Sequence, residues 1–121
     1  MTYVDGFVLP VKKKNLSAYR KAALAMAKIT KKHGALRYVK AVGEDLFPKD
    51  CGFPFPKMAK AKSDETVVFA FITYKSKAHR NQIMKKIVAD PSMAPEKWKN
   101  KPMPFDMKRM AYGGFETIVE R

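Results

Sequence analysis

The chain has 121 residues and one cysteine, and its 25 Lys and Arg against 11 Asp and Glu give a net charge of +14 at pH 7. That length suits a single domain over residues 1–121 with its own core; no apolar run approaches the about 18 residues of a membrane span, and Met1 to Asp5 lacks a signal peptide's basic start. With Cys51 alone there is no internal disulfide and no thiolate zinc site, so the expectation is a cytoplasmic protein without membrane contact, metal or cofactor.

Tyr3 to Val11 (YVDGFVLPV) is apolar on both parities, the pattern of a strand covered on both faces, broken only by Asp5 beside Gly6. Asn15 stands where it would cap a helix from Leu16 to about His33, with Tyr19, Ala23, Met26 and Thr30 at helical spacing, and Gly34 stops it. Leu36 to Glu44 reads as a less buried edge strand. Residues 45–64 form a long connection in which Phe53, Phe55 and Met58 make a short covering turn.

Glu65 to Lys75 (ETVVFAFITYK) has no charge between its ends and is expected at the centre of the sheet. Ser76 caps a helix to Ala89 whose inner face carries Ile83, Met84, Ile87 and Val88; Asp90-Pro91 ends it. A second long loop, Pro91 to Pro104, holds the single tryptophan, Trp98. The last strand contains Tyr112-Gly113-Gly114-Phe115, where paired glycines predict a bulge or, alternatively, a ligand lying over bare backbone.

Strand, helix, strand, strand, helix, strand is the order of an α+β, ferredoxin-like βαββαβ fold with an antiparallel four-stranded sheet, strands in the order four, one, three, two. Two helices cover one face only. Since strands one and three are apolar on both parities, the other face is expected to meet a second copy, giving a homodimer with the form of a dimeric α/β barrel.

Tyr3-Val4-Asp5-Gly6-Phe7-Val8, Gly34-Ala35-Leu36, Ser76-Lys77-Ala78-His79-Arg80 and the run from Met103 to Phe115 together resemble the YbaA-like family of uncharacterised bacterial proteins. The resemblance covers essentially the whole chain and implies a dimeric α/β barrel but no activity. The heavy lysine load and Met107, where the family pattern has glycine, depart from it.

The topology gathers Asp5, His33, Arg37, Tyr38, Tyr74, Lys75, His79 and Arg80 at one end of the subunit. His79, in the first turn of its helix, is the first candidate general base, with His33, Asp5 and Tyr74 as further candidate catalytic residues. Tyr38, Tyr112, Gly113 and Gly114 are candidate ligand-binding residues. Plain structural roles compete: His33 at helix carbonyls, His79 as a first-turn residue, Asp5 paired with Lys75. Two histidines and one cysteine on separate elements offer no metal spacing. Three functions stay open. One is a small-molecule pocket between sheet and helices, extending to a cofactor-free enzyme by fold-level analogy. A second is non-specific RNA or polyanion binding through the lysine coat. The third is a structural protein presenting residues 53–58 to a partner.

Overall fold

The computed structural model describes residues 2–49 and 52–121; Cys51, the single cysteine, lies outside them. The two strands richest in β-branched and aromatic residues, β1 (Tyr3–Lys12) and β3 (Glu65–Tyr74), are also the longest, and they pair antiparallel without a break from Tyr3 opposite Tyr74 to Lys12 opposite Glu65. β2 (Arg37–Val42) joins the free edge of β3 and β4 (Ala111–Glu116) that of β1, both antiparallel, so the sheet runs β2-β3-β1-β4.

Helix α1 (Leu16–Lys32) lies against one face of this sheet. Its Tyr19 joins Leu9, Val11, Val68 and Ala70 in one buried cluster, and its Ile29 joins Ala35, Tyr74, Ile83 and Ile87 in a second. The helix ends where Gly34 turns to φ +112°, with Lys31 and Lys32 in the last turn opposite the negative end of the helix dipole. Helix α3 (Lys77–Ala89) starts as expected, with Ser76 Oγ accepting from the His79 N–H at 3.1 Å. No helix among the described residues is long and apolar enough to cross a membrane.

Three local expectations are corrected. Asn15 does not cap α1: a 3-10 turn over Lys13–Asn15 precedes the helix, and the Asn15 amide reaches the Pro104 carbonyl at 3.5 Å, tying the late loop to the helix start. The inner face of α3 is narrower than expected. Ile83 and Ile87 are buried, whereas Met84 and Val88, about 100° further round the helix, are exposed. The third correction concerns β4, which has no bulge, because its register against β1 advances one residue at a time from Ala111 opposite Val8 to Glu116 opposite Tyr3. Gly114 of β4 and Gly6 of β1 make room for side chains: a Cβ on Gly114 would stand 2.9 Å from Tyr3 ring carbons, and the Phe115 ring lies 3.2 Å from where a Cβ on Gly6 would be.

On the face turned from α1, strand parity places Val4, Val8, Phe69, Phe71 and Phe115. Part of it is covered by the short helix α2 (Phe55–Ala59), whose Phe55 meets Phe69 edge-on at 6.5 Å. The remainder is open, with Phe69 47% and Phe115 61% exposed.

Candidate functional site

Strand register sets the helix-side face in rows. Lys40, Ala70, Phe7 and Tyr112 form one row across the sheet, and Tyr38, Ile72, Asp5 and Gly114 the next. Because Ala70 rises only one methyl above the sheet, the Lys40 side chain can lean across it. Its Nζ stands 5.0 Å from the centre of the Phe7 ring, 5.4 Å from that of Tyr38 and 5.6 Å from that of Tyr19. Three ring faces thus surround one ammonium. Burial lowers the pKa of Lys40, with no carboxylate acting against it.

This lysine borders a groove of about 550 Å³ between α1 and β2 whose lining includes Arg20, and two further cavities adjoin at it. The larger, about 510 Å³, opens between β2, α1 and the loop after α3, walled by Ala22, Ala23 and Met26 on the helix and by Met93, Trp98 and Phe105 on the loop. Loop residues hold that wall in place: a short helix α4 (Pro95–Trp98) carries Trp98, whose Nε1 donates to the Ser92 carbonyl at 2.8 Å, and Phe105 packs edge-on against Tyr19 at 5.5 Å. The second cavity, about 360 Å³, lies over the sheet and is lined by Asp5, Phe7, Tyr74 and Tyr112, sharing Met26, Tyr38 and Lys40 with the first.

Burial pushes the phenols of Tyr19 and Tyr38 up to about 12, so both are neutral hydroxyls at physiological pH. The Tyr19 hydroxyl is buried without a hydrogen-bond partner, as is that of Tyr74. At the far end of the second cavity Asp5, only 1% exposed, accepts from Arg80 Nη1 at 3.0 Å, and the same nitrogen donates to the Tyr112 hydroxyl at 3.0 Å. Arg80, rather than the Lys75 considered from sequence, is therefore the partner of Asp5. Burial raises the pKa of Tyr74, and the neighbouring Asp5 charge adds to the effect.

Of the residues singled out in the sequence, Asp5, Tyr38, Tyr74 and Tyr112 come together around the second cavity. His33, His79, Gly113 and Gly114 line neither cavity. His33 Nε2 lies 2.6 Å from the Asp90 carboxylate, which also accepts from Lys32 and from the Ser92 N–H and hydroxyl, locking the end of α1 to the end of α3. His79 Nδ1 accepts from the Lys75 N–H at 3.0 Å while its ring meets Tyr74 edge-on, so it folds back on its own helix start. Among the described residues, no three His, Cys, Asp or Glu side chains gather as metal ligands would. Lys40 and Trp98 were not singled out as site residues from sequence. The parity of β2 carried a signal for Lys40, which shares the face of Tyr38 two residues earlier.

Residues 2–107 match the model of a family described as a protein of unknown function, DUF1428. The uncharacterized protein YbaA of Escherichia coli (strain K12) is 42% identical over 120 residues, covering 99% of each chain. The YbaA proteins of Escherichia coli O157:H7 and Shigella flexneri match to the same 42% over 99% of each chain. Among solved structures, the de novo designed protein Foldit4 aligns with 97% of this chain and 99% of its own at a TM-score of 0.45 and 11% identity, a likeness too slight to argue from.

Proposed function

The chain belongs to the DUF1428 family of proteins of unknown function, and from its own geometry we propose that it is a small-molecule-binding protein, a single ferredoxin-like domain acting as a homodimer. The observation that carries the reading is the pair of adjoining cavities, about 510 and 360 Å³, between the sheet and the helix side, walled by methionine and aromatic side chains. Spaces of this size with few, placed polar groups are what small apolar ligands occupy. Methionine, flexible and polarisable, adapts such a wall to different shapes. Neither histidine offered as a base lines these cavities, and of the other two candidates Asp5 is taken by Arg80 and burial keeps the Tyr74 phenol neutral, so binding rather than acid–base chemistry is the reading these residues support. The open face bearing Phe69 and Phe115 supports the homodimer, in which two sheets would close over one another as in a dimeric α/β barrel.

The neutral dye Nile red, which fluoresces on leaving water, tests the cleft. Ala23→Trp fills the larger cavity from α1 and is expected to lower dye affinity about tenfold or more, the loss of roughly 1.4 kcal/mol of binding. Phe69→Glu on the opposite face serves as control and should leave this signal in place. Equal dye binding by wild type and Ala23→Trp, with loss in Phe69→Glu, would move the site to the other face and end the proposal.

A further inference from the structure

The larger cavity has a chemical asymmetry. Among the described residues Lys40 is the only charged side chain in its lining; the rest is methionine, alanine, proline and aromatic. That ammonium is caged by the rings of Phe7, Tyr19 and Tyr38, and no described side chain gives it an acceptor. Tyr19, one of those rings, carries a buried hydroxyl that also lacks a partner. An ammonium ringed by aromatic faces therefore stands at one side of an apolar space with no hydrogen-bond acceptor among the described side chains. Partial burial disfavours a cation unless it is paired, and a hydroxyl cut off from water costs about 1–3 kcal/mol if left without a partner. The acidic group nearest in the adjoining cavity, Asp5, is already taken by Arg80 at 3.0 Å.

Resting on the cleft reading above, we infer that the ligand is an amphipathic monocarboxylate whose anionic head pairs with Lys40 and whose apolar body lies along the methionine and Trp98 wall. The cage fits that task. Aromatic faces already hold the ammonium at the sheet, so little side-chain freedom is lost when the carboxylate arrives. Ala70, opposite Lys40 in register, leaves the gap through which the lysine reaches over Phe7.

Calorimetric titration with decanoate and with 1-decanol, which share a chain and differ in the head, tests this on the intact protein. Wild type should take up one decanoate per chain about tenfold or more tightly than decanol, the scale of one charge-assisted hydrogen bond. Lys40→Met should bind the two alike while still binding decanol, which also shows that the cleft is intact, and Lys40→Arg should keep the preference. A preference for decanoate that survives in Lys40→Met belongs to the lysine coat and overturns the inference. Equal binding of both probes by wild type also overturns it, yet leaves the cleft reading standing. Binding of neither probe removes both.

Discussion

Glu65 opens β3 and meets Arg109, just ahead of β4, through two hydrogen bonds of 2.7 and 2.9 Å, and it also accepts from the Lys62 N–H at 2.8 Å. The Arg109 hydrogen bond is the main reason its pKa falls to about 2, burial pulling the other way and the Lys62 N–H adding to the fall. A carboxylate whose folded pKa lies below its unfolded one stabilises the fold above the unfolded value and loses that contribution as pH falls toward the folded one. The window here runs from the ordinary 4.5 down to about 2. Glu65→Gln is therefore expected to unfold at lower urea than wild type at pH 7, with the gap closing as pH drops through that window. A gap that stays constant from pH 7 to pH 2 would contradict the role given to the pair. Asp90 is held low by its hydrogen bonds from Ser92 and then from His33, but it is common to both proteins and cancels in the comparison.

At this scale the sequence was informative about type and poor about partners. Asp5 was visible as an interior carboxylate, but that Arg80 and not Lys75 would reach it depends on how α3 is rotated over the sheet. Lys40 was one cation among 25 Lys and Arg in a charge that reads as a solvated coat, and its place depends on the register that puts Ala70 beside it. Asp90 was read only as a helix stop, yet it takes up His33.

Among the elements, the four strands and the two long helices were legible because their signals are local: apolar runs on both parities for β1 and β3, Ser76 before α3, Gly34 after α1. What was not legible lies in the connections. The short helices α2 and α4 have too few residues to show a periodicity, and of the glycine pair of β4 only Gly114 marks a close approach, that of Tyr3, a contact made across strands. The outer face of β1, β3 and β4 carries its own prediction. Phe69 is 47% exposed beside Phe71 and Phe115, and placing charges there would repel a second copy of the same face. Wild type is expected to sediment at twice the chain mass and Phe69→Glu at the chain mass. A monomeric wild type at micromolar concentration would remove the dimer.

For the molecule as a whole, the proposal divides one sheet between two uses. The face under α1 and α3 is packed at both ends and hollow between them, where Met26, Tyr38 and Lys40 border both cavities. The face beyond it, which carries Phe69 and Phe115, is the one proposed to meet a second copy. Methionine methyl groups report on this division directly, since Met26, Met93, Met103 and Met107 line the larger cavity while Met58 sits on α2, on the outer face. Carbon-13 methyl NMR during a decanoate titration is the measurement that decides. A ligand in the cleft requires the signals of Met26, Met93, Met103 and Met107 to move while Met58 stays in place. Movement of Met58 alone, or of no methyl at all, would contradict a binding site between the sheet and its helices.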